Sequence, residues 1–277
     1  YKTDNMANIV DNAKLVELFV SPLQECLAYK PHFGNNAKKE GYSLVDFLNL
    51  YSQDPFYSWI GLNSPYMYNA HKAAGSMTSI YRQIGIGCER LFRQIIFERT
   101  EYENYNSAQW SYTTLTKSGK EKVLSLDGRL EINDIKNTTV KENVMQWIHD
   151  YMVNLDIDVR ELKGAVFEVR QGYKSKDSKR QNADLDNAAV AYSKSYLPVF
   201  TIFSSQIDND ISLRYHNGKC GILVGNLHGN SFSSLYSFCK DVLLFDLAYF
   251  FEKNSETIKK QVNQILKALF EINETKK

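Results

Sequence analysis

The sequence lacks the features of a zinc-stabilised or membrane-embedded protein. Its four cysteines are widely separated, and no Cys-x-x-Cys or Cys/His cluster occurs, which argues against a structural zinc site. No apolar run approaches the roughly 18–20 residues that a membrane-spanning helix needs, and no secretory signal peptide is visible. We therefore expect a reduced, cytoplasmic protein that does not enter a membrane.

An excess of one charge is also missing. The 33 basic and 32 acidic residues leave a net charge of +1, so bulk charge does not indicate nucleic-acid binding. Apolar residues make up 43% and charged residues 23%, which is typical of globular proteins and excludes general disorder. The length of 277 residues fits one large domain or two modest ones.

Several common catalytic motifs are absent. There is no Walker sequence and no Gly-x-Ser-x-Gly elbow, and the only Gly-x-Gly lacks the third glycine of a dinucleotide-binding loop. The five histidines form no recognisable ligand or base pattern. The sequence therefore argues against a nucleotide-dependent enzyme or a serine hydrolase.

Apolar periodicity predicts an α/β protein with a central mixed β-sheet flanked by helices and with helical N- and C-terminal additions. We expect one domain with a helical and loop-rich extension over 1–75, an α/β core over 76–225 and two C-terminal helices over 226–277. The predicted helices are 76–99 (weakened at Gly85 and Gly87), 139–154, 182–196, 232–251 and 255–272. The predicted strands are 110–116, 122–126, 129–135, 165–170, 199–203 and two more within 211–225, with turns at 118–119, 127–128 and 217–218.

One predicted strand carries charged residues among apolar ones. Side chains alternate along a strand, so Glu168, Arg170 and Lys174 share one face of the segment 166–174. A carboxylate within an apolar strand is costly unless it is paired or binds a metal. Glu168 is therefore either a metal ligand or the partner of Arg170 in a structural ion pair, and we favour the ligand.

This segment resembles the core of the PD-(D/E)XK nuclease superfamily, which includes many type II restriction endonucleases. The similar pieces are Phe167-Glu168-Val169-Arg170, the helix near 182–196 and the strand 197–203. The helix that carries Glu89 is similar to the acidic helix that often opens this core, although beside Arg90 and Arg93 we expect Glu89 to be exposed to solvent. The resemblance covers about residues 80–205 and implies a restriction-endonuclease-like fold.

The resemblance also implies that Glu168 and an upstream aspartate hold Mg²⁺. Asp158 lies ten residues before Glu168 and is the first choice by this spacing. Asp127 and Asp134, which lie in the more strand-like hairpin region, are the alternatives. Arg170 stands where the family usually has lysine. Arginine does not deprotonate in proteins, so Arg170 would stabilise charge on a phosphate, and Lys174 is the alternative for the lysine position.

A basic segment follows the candidate strand. Between Arg170 and Arg180, five basic residues against one aspartate leave a net charge of +4. Lysine and arginine bind phosphates, and Gln, Asn and Arg make paired hydrogen bonds to base edges. We therefore expect a polar DNA-binding loop that includes Gln171, Tyr173, Lys174, Lys176, Lys179, Arg180, Gln181 and Asn182.

Together these residues predict a Mg²⁺-dependent endodeoxyribonuclease that cuts double-stranded DNA at a specific sequence. The resemblance to type II restriction enzymes implies a homodimer, with the C-terminal helices as candidates for its interface. Two alternatives stay open: a structure-specific repair or junction nuclease with the same core, and a non-catalytic DNA-binding protein on a degenerate nuclease scaffold. The arginine at position 170 keeps the second alternative open.

Overall fold

The computed structural model describes residues 12–32, 41–115, 118–157, 162–172 and 178–270. The α-helices within these ranges are α1 (Asn12–Val20), α2 (Leu44–Gln53), α3 (Pro55–Trp59), α4 (Pro65–Thr100), α5 (Thr138–Asn154), α6 (Ser178–Ser193), α7 (Asn209–Asn217), α8 (Leu235–Asp241) and α9 (Leu247–Phe270). The strands are β1 (Trp110–Leu115), β2 (Glu121–Leu126), β3 (Gly128–Glu131), β4 (Gly164–Arg170), β5 (Tyr196–Ile202) and β6 (Gly221–Val224). None of the described helices is long and apolar enough to cross a membrane.

The chain divides into two compact units. One contains the residues up to Leu15 and Cys88–Asn254, and it includes every described strand. The other contains Val16–Gly87 and the residues from Ser255 onwards. Those candidate site residues that the structure describes all belong to the first unit.

A mixed four-stranded sheet forms the centre of the first unit. Its strand order is β3-β4-β5-β6, with β3 antiparallel to β4 and with β4, β5 and β6 parallel to one another. Strands β1 and β2 form a separate antiparallel ribbon. The prediction of an α/β protein with a mixed sheet is therefore confirmed.

Helices cover both faces of this sheet. On one face, Phe167 of β4 contacts Phe92 of α4, with ring centroids 5.2 Å apart, and Phe238 of α8 at 5.7 Å. On the other face, Phe200 of β5 stacks on Tyr215 of α7 at 4.2 Å and packs near Ala188 of α6. Because successive strand residues point to opposite faces, the β4 side chains with even numbers, including Glu168, lie on the α6 side.

The two glycines that weaken the predicted helix 76–99 do not interrupt it, since α4 runs from Pro65 to Thr100. Gly87 is present for a different reason. A Cβ atom at this position would lie 2.2 Å from the carbonyl oxygen of Phe19. The glycine therefore permits close approach of α1, whereas Gly85 has no atom near its missing side chain.

Two of the predicted turn signals, at 127–128 and 217–218, do not form hairpins. The Asp127-Gly128 pair is a bend between β2 and β3, and β3 continues onto β4 instead of turning back on β2. The two strands predicted within 211–225 are α7 followed by β6, with the Asp208 side chain accepting the backbone N–H of Asp210 at the start of the helix.

The C-terminal prediction was right in type and wrong in boundaries. Two helices over 232–251 and 255–272 were expected, but α8 is short and α9 begins already at Leu247. Apolar periodicity continues through the region, so it does not mark the interruption between the two helices.

Candidate active site

The structure places Asp127 beside Glu168. The antiparallel register pairs Gly128 with Phe167, so Asp127 lies opposite Glu168 at the next position of the ladder. The backbone N–H of Asp127 donates to the Phe167 carbonyl at 2.8 Å, and its Oδ2 accepts the N–H of Val169 at 2.8 Å. The side chain of Asp127 thus takes the place of a backbone acceptor, and these bonds fix its carboxylate at the start of β3.

The two carboxyl groups lie in a partly closed environment that disfavours their charge. The side chain of Asp127 is 18% exposed and that of Glu168 is 23% exposed. Burial, and next the charge of Glu89, raises the pKa of Asp127 to about 7. Burial, and next the charge of Asp127, raises the pKa of Glu168 to about 7. This pair carries negative charge that a bound proton or metal cation would relieve.

Glu89 is a third carboxylate near the pair. The expectation that it is simply solvent-exposed is wrong, because the residue is half-buried on α4. Burial, and then the charge of Glu168, raises its pKa. One helical turn further, Arg93 donates from Nε to the Asp127 carbonyl oxygen at 2.8 Å, and its Nη2 lies 4.0 Å from Asp127 Oδ1. The helix α4 thus brings one acidic side chain, Glu89, and one positively charged side chain, Arg93, to the site.

Arg170 forms the ion pair with Glu168 that the sequence offered as the alternative. Its Nη2 lies 3.1 Å from Glu168 Oε1 and 2.7 Å from Asp184 Oδ1, and the side chain is only 8% exposed. Glu168 is therefore paired with a guanidinium and also lies beside a second carboxylate. The ion pair with Arg170 and the candidate metal site with Asp127 therefore both include Glu168.

Sequence reasoning missed Asp184. This residue lies on α6, is almost fully buried, and accepts the hydroxyl of Tyr215 on its Oδ2 at 2.5 Å. The signal was present, because buried residues recur on α6 at helical spacing, at Gln181, Asp184, Ala188 and Ala191. A carboxylate on the buried face of a helix requires a partner, and Arg170 is that partner.

Of the other two aspartate candidates, only Asp134 lies within the described residues, and it is away from this cluster. Asp134 lies beyond the far end of β3, where it pairs with Arg129 at 3.7 Å and is half-exposed. Asp158, the aspartate favoured by its distance from Glu168 along the chain, lies outside the described residues, as does Lys174.

The basic segment is only partly the loop that was predicted. Gln171 follows β4, and residues 173–177, with Tyr173 and Lys176, lie outside the described ranges. Residues from Ser178 onwards are helical, so the prediction of a loop through 181 is wrong there. Lys179 and Arg180 are exposed on the first turn of α6.

Two predicted DNA contacts are occupied within the protein. Gln181 is buried, and its Oε1 accepts Nη1 of Arg214 at 2.7 Å. Asn182 Oδ1 accepts Nη2 of the same arginine at 2.5 Å. Both side chains therefore join α6 to α7, and the buried Gln181 is not displayed on the surface as the sequence prediction required.

The donor set of the site fits a hard divalent cation. Within the described ranges no group of three or more His, Cys, Asp and Glu side chains is arranged to hold a metal. Asp127 and Glu168 are the two adjacent carboxylates that could bind one together. Mg²⁺ is commonly bound through one or two carboxylates, with waters and substrate phosphates completing its shell. Two adjacent carboxyl groups that are poorly neutralised and still reachable from solvent meet this requirement.

Neither a protein-family model, nor a curated protein, nor a solved structure matches this chain. Its function is therefore inferred from the geometry and charge of the site.

Proposed function

We propose that the protein is a Mg²⁺-dependent endodeoxyribonuclease with a restriction-endonuclease-like core. The observation that carries the proposal is the juxtaposition of Asp127, directly before β3, and Glu168 of β4, with burial and a neighbouring carboxylate raising the pKa of each. Such a pair is a poor structural element, because each carboxylate opposes the ionisation of the other. It is a suitable holder for a divalent cation.

In the proposed reaction, Asp127 and Glu168 would hold the metal, close to a DNA phosphate. A bound Mg²⁺ would offset charge on the phosphate and lower the pKa of the attacking water. The hydrogen bond from Val169 N–H orients Asp127, and Arg170 orients Glu168. Arg170 cannot act as a base, and Lys174 stays the proposed residue for the lysine position of the family.

The proposed substrate is double-stranded DNA. Lys179 and Arg180 are exposed at the start of α6, two helical turns or less from Asp184, whose Oδ1 binds Arg170 of the site. Cations at this position would bind backbone phosphates and keep the duplex near the carboxylates. For a type II restriction enzyme we propose a homodimer, so that two copies of the site cut both strands of a palindrome.

One observation favours a second candidate, a DNA-binding protein without catalysis. Arg170 is 8% exposed and paired with two carboxylates, so it has little surface to offer a phosphate. If no other cationic side chain stabilises the phosphate in place of Arg170, the protein would bind DNA and leave it intact.

Plasmid cleavage distinguishes these candidates. Supercoiled DNA is incubated with the wild type, Asp127→Asn and Asp134→Asn, with Mg²⁺ or with EDTA. The proposal expects discrete fragments with Mg²⁺ from the wild type and from Asp134→Asn, and none from Asp127→Asn. Cutting of branched substrates alone would indicate a junction nuclease. Gel retardation without cutting by the wild type would support the non-catalytic candidate and refute the nuclease.

A further inference from the structure

Arg170 is held by two carboxylates that come from different elements. Glu168 is its neighbour on the same face of β4, while Asp184 reaches it from α6 with the shorter contact, 2.7 Å against 3.1 Å. Both of these contacts involve Nη2 of the guanidinium. Asp184 is also the more buried of the two acids, with a side chain 7% exposed against 23% for Glu168.

Asp184 is itself anchored. Its Oδ1 binds Arg170, and its Oδ2 accepts the hydroxyl of Tyr215 at 2.5 Å. Tyr215 is fully buried and stacks on Phe200 of β5, with ring planes 11° apart. The carboxylate of Asp184 is thus fixed by Arg170 of β4 on one side and by Tyr215 of α7 on the other.

The charges of Arg170 and Asp184 affect how strongly Glu168 can attract a cation. An arginine paired with Glu168 alone would neutralise that carboxylate and compete with any cation for it. Here one guanidinium serves two carboxylates, so Arg170, Glu168 and Asp184 together keep one negative charge before Asp127 is counted. Sharing the positive charge of Arg170 in this way makes the site more attractive to a divalent cation.

We propose that Asp184 is a positioning residue that draws Arg170 towards α6 and thereby leaves Glu168 able to bind a divalent cation. The inference rests on the proposed function of the Asp127–Glu168 pair. A buried ion pair with only a structural role would add little to the stability of the fold, because apolar residues of similar size often replace such pairs without loss of stability. Buried charged groups often orient a metal ligand instead, and losing such a group typically weakens metal binding about 10–100-fold.

A double-mutant cycle tests the inference with Mn²⁺ as the probe and without DNA. Free Mn²⁺ is measured by electron paramagnetic resonance during titration of the wild type, Asp184→Asn, Arg170→Gln and the double variant. We expect Asp184→Asn to weaken Mn²⁺ binding about 10-fold or more. In the Arg170→Gln background the same change should have less than about a threefold effect, because the competing guanidinium is gone. Equal losses in both backgrounds would overturn the proposal and assign Asp184 a direct charge effect.

A second variant keeps the inference testable if the cycle variants fail to fold. Tyr215→Phe removes the hydroxyl that anchors Asp184 and keeps every charge, and Tyr112→Phe is its matched control. The Tyr112 hydroxyl also donates to α6, to Asn187 Oδ1 at 2.6 Å, but not to Asp184. We expect weaker Mn²⁺ binding for Tyr215→Phe and wild-type binding for Tyr112→Phe, with circular dichroism confirming that both fold. Wild-type binding by Tyr215→Phe would overturn the positioning role.

The same titration separates this inference from the proposed function. A wild-type protein that binds no Mn²⁺ would refute the metal site itself. A wild type that binds Mn²⁺, together with folded Asp184 and Tyr215 variants that bind it equally well, would leave the metal site in place and refute only the role of Asp184.

Discussion

Replacing Asp127 by Asn should stabilise the protein at alkaline pH while removing its proposed activity. The amide has nearly the shape of the carboxyl group, and its oxygen can still accept the Val169 N–H. The amide has no negative charge, so the repulsion between residue 127 and the carboxylates of Glu89 and Glu168 is removed. The site would then gain stability at the expense of a metal ligand.

The magnitude follows from the pKa of Asp127. Raising that pKa from 3.8 to about 7 corresponds to about 4 kcal/mol, at about 1.4 kcal/mol per pH unit. This figure already includes the opposing effects of Arg93 and Arg170 on the carboxylate. It is therefore an upper estimate of the stability that the wild type loses when Asp127 ionises in the folded protein.

The sign of the pH dependence is set by the raised pKa. Protonated Asp127 is favoured in the folded state, so its contribution is fully present below the unfolded pKa and disappears as the pH rises through the folded value of about 7. The difference in the free energy of unfolding between Asp127→Asn and the wild type should therefore increase by up to about 4 kcal/mol from about pH 4 to about pH 8.5. Any constant cost of placing the amide cancels in this difference.

Urea unfolding of both proteins across this pH range provides the measurement. Asp134→Asn is the matched control, because Asp134 is half-exposed and only pairs with Arg129 at 3.7 Å. Its effect should stay within about 0.5 kcal/mol at every pH. Parallel pH profiles for the wild type and Asp127→Asn would show that folding does not raise the pKa of Asp127, and the reasoning about the site would then fail.

Three further predictions concern the site, the DNA surface and the fold. Glu168→Ala should abolish cleavage and leave DNA binding measurable by gel retardation; unchanged cleavage would remove this residue from the site. Replacing Lys179 and Arg180 together by Ala should weaken DNA binding and make the salt dependence of log K shallower by about 1–2, at about 0.9 per lost phosphate contact; an unchanged slope would place DNA elsewhere. Gly87→Ala should lower the free energy of unfolding by about 1–3 kcal/mol, because its Cβ would lie 2.2 Å from a backbone oxygen, whereas Gly85→Ala, with nothing nearby, should raise it by about 1 kcal/mol; the opposite order in thermal or urea unfolding would contradict the packing of α1.

The sheet could be predicted because its central strands are uniform in character. The segments 165–170 and 199–203 are apolar and rich in β-branched and aromatic residues, and they lie within β4 and β5. The prediction of two strands within 211–225 failed because the apolar positions of α7 are few and separated by polar residues. The Asn217-Gly218 pair, which was interpreted as a hairpin turn, ends a helix instead.

The candidate site was predictable on one strand and not across strands. The alternation of Glu168 and Arg170 within β4 follows from strand geometry alone. The approach of Asp127 does not, because α5 is inserted between β3 and β4 and hides their pairing in the sequence. Distance along the chain therefore favoured Asp158, while the antiparallel register favours Asp127.

Asp184 shows a second limit of sequence reasoning. Its partner Arg170 lies 14 residues away along the chain, and nothing in that spacing indicates a contact between a strand and the following helix. Only the packing of α6 on β4 brings the two charges together. The buried face of α6 would have drawn attention to this acid if helical periodicity had been applied to polar as well as apolar positions.

Crystals soaked in Mn²⁺ test the joint metal site most directly, through the anomalous scattering of the ion. We predict an anomalous peak between the carboxylates of Asp127 and Glu168 in the wild type, and no peak there in Asp127→Asn crystals soaked in the same way. A peak bound to other residues, or one that persists between these positions in the variant, would contradict the assignment of the two carboxylates as the metal ligands.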